Sequence, residues 1–74
     1  MKFCVGVFNQ AVKDCEKNGD TWDESKTNIS SEFSEVIYFD YTHMESAEQV
    51  IRVAEKQFPR SQGFRIDFIK AYED

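Results

Sequence analysis

Side chains that could act in catalysis are scarce in this chain of 74 residues. His43 is the only histidine, and Cys4 and Cys15 are the only cysteines. A nucleophilic Cys–His pair requires the two groups within hydrogen-bond reach and a third group that orients the base. His43 stands in an acidic stretch just before a helix start, where an exposed loop histidine is the usual finding. The sequence therefore predicts no catalytic residue and no enzymatic activity.

The spacing of the carboxylates and glycines also predicts no metal or cofactor. The stretch Asp20-Thr21-Trp22-Asp23-Glu24 lacks the alternating acids, central glycine and distal glutamate of a calcium loop. Glycines occur only at positions 6, 19 and 63, too far apart to form a phosphate-binding loop. With no secretion signal at the N-terminus, the two cysteines are expected to be reduced thiols.

The acidic residues are unevenly distributed along the chain. Residues 14–48 contain ten acids against Lys17 and Lys26, a net charge of −8, while the whole chain carries −5. Such a segment disfavours direct contact with nucleic acid, whose backbone is bound by clustered Lys and Arg, and with an anionic membrane surface. It would attract a basic partner. The alternative is that these charges only keep a small protein soluble.

Hydrophobic alternation predicts three strands in a single domain that spans residues 1–74. The strands cover residues 2–8, 33–41 and 64–68, and apolar side chains alternate along each of them, with Glu35 as the exception in the second. Residues 9–17 have two interpretations. The favoured one is a hairpin with its turn at Asn18-Gly19, and the other is a short helix that Asn9 caps and Gly19 ends.

One helix is predicted between the second and third strands. Ser46 and Gln49 match a capping box, and an apolar stripe follows at Ala47, Val50, Ile51, Ala54 and Phe58. Pro59 cannot continue the helical hydrogen bonds, so the helix should end near residue 58.

Together these elements predict an α+β fold. An antiparallel sheet of three or more strands would carry the helix on one face, in the order ββαβ. If residues 9–17 are helical, the order becomes βαββαβ, the ferredoxin-like plan. Besides the helix stripe, the predicted core consists of Phe3, Val5, Val7, Phe33, Ile37, Phe39, Phe64, Ile66 and Phe68.

The opposite face of the predicted sheet is expected to be apolar as well, and such a face often marks a contact surface. The alternative is that residues 9–31 fold across it, with Trp22 as the covering side chain. Base stacking on this face is not predicted, because Phe68 has the core parity. The side chains expected on this face are Cys4, Phe8, Val36, Tyr38, Ile69 and Ala71.

Residues 37–68 resemble small phage-encoded proteins of the anti-CRISPR or anti-defence type. The resemblance rests on a strand, then Ser46-x-x-x-Val50-x-x-x-Ala54, then Phe58-Pro59 and a closing strand. It implies a phage or mobile-element origin and residence in the cytoplasm of a bacterial host. The acidic first half departs from the pattern, and no functional residue is carried over.

These observations lead to two hypotheses of function. In the first, the chain is a non-enzymatic inhibitor whose acidic surface mimics nucleic-acid phosphates and blocks a basic, nucleic-acid-binding host protein. In the second, it is a small structural domain that forms a homodimer through the open sheet face. The predicted partner-binding residues of the first hypothesis are Asp20, Trp22, Asp23, Glu24, Glu32, Glu35, Tyr38, Glu45 and Glu48.

Overall fold

A three-stranded antiparallel sheet organises the fold, as predicted. The computed structural model describes residues 1–72. The strands are β1 (Lys2–Asn9), β2 (Ile37–Tyr41) and β3 (Phe64–Tyr72), and the helices are α1 (Gln10–Lys17), α2 (Glu24–Thr27) and α3 (Ala47–Gln57). Two 3-10 turns, Ser31–Ser34 and Arg60–Gln62, precede β2 and β3.

The central strand of the sheet is β1, with β2 on one side and β3 on the other, and both pairings are antiparallel. Along the chain the order is β1-α1-α2-β2-α3-β3. Two helices therefore lie between the first two strands, where the predicted ββαβ order has none. Within residues 1–72 the sheet has one strand fewer than the ferredoxin-like alternative requires.

Residues 10–17 form a helix, so the prediction of a hairpin at Asn18-Gly19 is wrong. The fully buried Asn9 side chain accepts hydrogen bonds from the backbone N–H groups of Ala11 at 2.9 Å and Val12 at 3.2 Å. Its amide donates to the Gln62 carbonyl at 3.1 Å. Gly19 has a φ of +81° just past the helix end, the position that favours glycine. Contacts with the turn before β3 thus stabilise α1 and favour the helix over the hairpin.

The predicted start and end of α3 are confirmed. The Ser46 hydroxyl accepts from the Gln49 N–H at 3.2 Å, while the Gln49 side chain accepts from the Glu45 N–H at 2.7 Å. The last helical residue is Gln57, two positions before Pro59. Among residues 1–72, no helix has the length and apolar character needed to cross a bilayer.

The core lies between the sheet and α3. Its buried members include Phe3, Val5 and Val7 from β1, all predicted. Phe33 lies outside the strand predicted for it, in the turn before β2, yet it still reaches the core. Its ring is 5.1 Å from that of Phe64, centroid to centroid, in an edge-on arrangement. Of the predicted helix stripe, Val50 and Ala54 are buried, whereas three members are not: Ala47 is exposed, and Ile51 and Phe58 are half-buried.

A bulge in β3 overturns the predicted side-chain parity of that strand. Val7 pairs with Ile66, but the preceding residue of β1, Gly6, pairs with Phe68, so Asp67 is an extra residue. Beyond this point every side chain changes face. Phe68 therefore lies on the open face and not in the core, while Ile69 packs against the core. Ala71, opposite Phe3, has the same parity as Ile69, so its predicted place on the open face is also wrong.

Candidate functional site

The side chains that could act in catalysis do not lie together in the described part of the chain. Cys15 lies on α1, beyond the end of the sheet where β1 finishes, and His43 follows β2 at the opposite end. These two side chains therefore do not converge. Cys4 lies within β1 on the open face, opposite Asp40, and both cysteines are free and half-buried. Among residues 1–72, no three His, Cys, Asp or Glu side chains are grouped as metal ligands would be.

Most of the predicted acidic site residues lie in one part of the molecule, which we call the acidic end and define as residues 14–36. The chain leaves the sheet at Asn9 and returns to it at Ile37, opposite Val7 near the same end of β1. This segment holds seven acids and two lysines. All seven acids are exposed. They are Asp14, Glu16, Asp20, Asp23, Glu24, Glu32 and Glu35.

Two of these acids also hold the local backbone. Asp23 caps α2: its carboxylate accepts from the Lys26 N–H at 3.1 Å and from the Ser25 hydroxyl at 2.7 Å. These hydrogen bonds, the Ser25 one foremost, lower the pKa of Asp23 below its ordinary value. The Glu24 carboxylate accepts from the Ser31 N–H at 2.7 Å. Asp23 and Glu24 therefore stabilise the backbone around α2, in addition to any role in binding.

Trp22, predicted as an anchor for the partner, is half-buried and tied to its own segment. Its indole N–H donates to the Ile29 carbonyl at 2.8 Å, and the Ile29 side chain packs against the core. Trp22 thus closes the loop around α2. The open face is not covered in the way the alternative required, since Tyr38 remains 62% exposed.

Glu45 and Glu48 are not brought together with the acidic end. Both follow β2, whose last residue pairs with Phe3 near the start of β1. The adjacent Met44 N–H donates to the Met1 carbonyl at 3.2 Å, which places this turn beside the N-terminus. The predicted acidic surface is therefore divided between the two ends of the sheet.

The second candidate surface is the open face of the sheet, centred on Gly6. A β-carbon at Gly6 would lie 2.6 Å from the Phe68 ring and 2.8 Å from Val36 Cγ1. The Phe68 ring thus lies over the central strand, in the space that a side chain at position 6 would occupy. Its centroid is 5.4 Å from that of Tyr38 on the other edge strand. Tyr38 and Phe68, 62% and 36% exposed, form an aromatic pair across the sheet.

Lysines border this aromatic pair at both ends of β1. The Lys2 ammonium lies 5.2 Å from the centroid of the Tyr72 ring. At the other end, the ammonium of Lys13, on α1, lies 4.8 Å from the centroid of Phe8. Lys70 is the cross-strand neighbour of Cys4 and is exposed.

Among residues 1–72, two carboxylates lie beside these lysines: Asp40 on β2 and Asp67, exposed in the bulge of β3. Asp40 is the neighbour of Cys4 on the opposite strand from Lys70. It accepts a hydrogen bond from the Tyr72 hydroxyl at 2.7 Å. The open face is therefore aromatic with a cationic border, unlike the acidic end.

Sequence reasoning placed Phe68 in the core and Ile69 on the open face, whereas the structure has them the other way round. Two adjacent apolar residues, Phe68 and Ile69, interrupt strict alternation in β3 and were the available signal of a bulge. The glycine at the centre of β1 was a second signal, because glycine within a strand often marks a close approach of other atoms.

No protein-family model, no curated protein and no solved structure significantly matches this chain.

Proposed function

We propose that this chain is a non-enzymatic protein-binding inhibitor whose acidic end occupies a basic, nucleic-acid-binding surface of a host protein. The observation that carries the proposal is the concentration of seven exposed carboxylates, against two lysines, within residues 14–36. Inhibition of the anti-CRISPR or anti-defence type is the form of this function that the resemblance of residues 37–68 favours.

Electrostatics supports a contact of this kind. The acidic end as a whole carries a formal net charge of −5 from its seven acids and two lysines. Complementary charge accelerates encounter with a cationic surface and disfavours partners of like charge. A groove that binds nucleic-acid phosphates has such a cationic surface.

Local structure gives the acidic end a fixed shape. The cap at Asp23, the Glu24–Ser31 hydrogen bond and the Trp22–Ile29 hydrogen bond close the loop on itself. A surface that is ordered before it binds loses less conformational entropy in the complex. Five carboxylates of the acidic end take no part in these bonds. Of these five, we assign Asp20, Glu32 and Glu35, which the sequence predicted as contacts, to the partner.

The test is affinity capture from bacterial lysate with the immobilised chain at low and at high salt. The variant, called the acidic-end variant, combines Asp20→Asn, Glu32→Gln and Glu35→Gln. It removes three charges and leaves the hydrogen bonds of Asp23 and Glu24 in place. Because the replaced groups are exposed, stability should change by no more than about 0.5 kcal/mol per site.

A matched control, called the α3 control, removes three charges elsewhere by Glu45→Gln, Glu48→Gln and Glu55→Gln. We expect the unmodified chain and this control to retain a basic nucleic-acid-binding protein at low salt, and the acidic-end variant to lose it. If the acidic-end variant retains the same protein as strongly, or if the retained proteins are not basic, the proposed function is wrong.

A further inference from the structure

The open face has the features of a surface that stacks on a planar group. Phe68 lies over Gly6, where the absence of a β-carbon lets the ring approach the strand, and Tyr38 lies beside it at 5.4 Å. The sheet covers one side of the Phe68 ring, while 36% of the side chain remains accessible. Aromatic rings that lie on an open sheet face are the platforms on which unpaired nucleobases stack.

The charges around this platform determine which partner fits it. Three lysines lie along the face: Lys2 and Lys70 near the start of β1, and Lys13 beside Phe8 near its end. Opposing them are Asp40, held by the Tyr72 hydroxyl, and Asp67, exposed in the bulge. Within residues 1–72 the face thus has three lysines against two carboxylates, and cations beside exposed rings favour a polyanion over an apolar or basic protein surface.

From these contacts we propose that the open face binds a short single-stranded nucleic acid, with one base stacked on Phe68 beside Tyr38 and phosphates near Lys2, Lys13 and Lys70. The sequence argued against this, because strict alternation placed Phe68 in the core; the bulge at Asp67 removes that objection. The proposal does not depend on the acidic end, whose charges oppose it at long range.

The rings and the lysines should contribute in different ways. Stacking is largely independent of sequence, since every base has a π face. Phosphate contacts release counterions, so the logarithm of affinity should fall with the logarithm of salt concentration. Three lysines that each neutralise one phosphate of a single strand give a slope of about −2.

The experiment is fluorescence anisotropy of a labelled oligo(dT) of about eight nucleotides, a length within the range of small single-strand-binding domains. Phe68→Ala should weaken binding at least fivefold. Lys2→Gln with Lys70→Gln should reduce the magnitude of the salt slope by about 1.4. Lys56→Gln, on the exposed side of α3, is the matched control and should change neither quantity.

Two further measurements keep the result interpretable. The first is Tyr38→Leu, which retains an apolar side chain at an exposed position and should therefore leave the protein folded. If this variant binds at least fivefold more weakly, stacking is supported even where Phe68→Ala destabilises the protein. The acidic-end variant should bind oligo(dT) as well as or better than the unmodified chain, which separates this proposal from the proposed function.

Several results would overturn the inference. One is the absence of an anisotropy change at low salt, which would show that the face does not bind the oligonucleotide and would make a protein its partner. Another is binding that Phe68→Ala and Tyr38→Leu do not weaken. A third is a concentration-dependent dimer, measured by sedimentation, that Phe68→Ala abolishes, because a second copy would then occupy the face.

Discussion

Replacing Gly6 by alanine should destabilise the protein, contrary to the usual effect of removing glycine from a strand. An alanine in the interior of a strand ordinarily stabilises by about 0.5–1 kcal/mol relative to glycine. Gly6 does not have a positive φ, so its backbone conformation suits alanine. The new methyl group, however, would lie 2.6 Å from the Phe68 ring. The ring must therefore leave its place over the strand.

The size of the effect follows from what the displaced ring loses. Full burial of a phenylalanine is worth about 1.5–3 kcal/mol, and Phe68, at 36% exposure, realises roughly two thirds of it. Loss of the contact with Tyr38 adds about 0.5–1.5 kcal/mol. After the backbone gain is subtracted and partial relaxation is allowed for, we expect Gly6→Ala to lower the free energy of unfolding by about 1–2 kcal/mol.

Urea denaturation of a double-mutant cycle is the assay. In the Phe68→Ala background the ring is absent, so Gly6→Ala should cost much less than in the unmodified chain, although Val36 still crowds the site at 2.8 Å. The coupling energy should be about 1 kcal/mol or more. A stabilising Gly6→Ala, or equal effects in the two backgrounds, would refute the placement of Phe68 on the open face.

Three further predictions concern the core and the titrating groups. Val50→Ala should lower the free energy of unfolding, measured by urea denaturation, by about 2–3 kcal/mol because Val50 is fully buried. Ile51→Ala should lower it by about 1 kcal/mol because Ile51 is half-buried. Equal effects of the two substitutions would contradict the packing of α3. Burial raises the pKa of Tyr41, so stability should fall above about pH 10, where only the unfolded state ionises. Tyr41→Phe removes the hydrogen bond that the Tyr41 hydroxyl donates to Gln57 Oε1, so it should lower the free energy of unfolding at neutral pH by about 0.5–1.5 kcal/mol and flatten that alkaline decline. Because the pKa of Asp23 is lowered in the folded state, its ionised carboxylate contributes stability that is lost as the pH falls through the folded-state pKa. Asp23→Asn, which retains a capping oxygen, should therefore reduce the loss of stability measured between about pH 5 and 2.

The parts of the fold that sequence predicts well are those that local chemistry decides. Ser46 with Gln49 marks the start of α3 and Pro59 its end, because backbone hydrogen bonds within a few residues determine both. Alternation in residues 2–8 identifies β1 because that strand is regular throughout. Exposure of the acidic end also follows from its composition, since unpaired carboxylates are rarely buried.

Two features depended on contacts distant in sequence. The choice between hairpin and helix at residues 9–17 rests on Asn9, whose amide reaches the Gln62 carbonyl, 53 residues away. The open face depends on one inserted residue, Asp67, which moves Phe68 to the surface and Ile69 to the core. The adjacent apolar residues Phe68 and Ile69 signal that alternation breaks, but the pairing with β1 is what identifies Asp67 as the inserted residue.

The division of the predicted acidic residues was likewise beyond local patterns. Glu45 and Glu48 belong with Glu35 in sequence, but β2 runs the length of the sheet between them and separates the two groups. The candidate binding surface is consequently smaller than the net charge of residues 14–48 implied, and its members all precede β2.

The most direct test of the proposed function is the association rate constant between this chain and the basic protein that it captures, measured over a range of ionic strength. Charges at an interface rim act mainly on this rate. For the acidic-end variant we predict a rate at least tenfold lower at low salt and a weaker dependence on salt, while the α3 control behaves as the unmodified chain. Equal rates and equal salt dependence for the unmodified chain and the acidic-end variant would contradict the proposal that residues 14–36 make the contact.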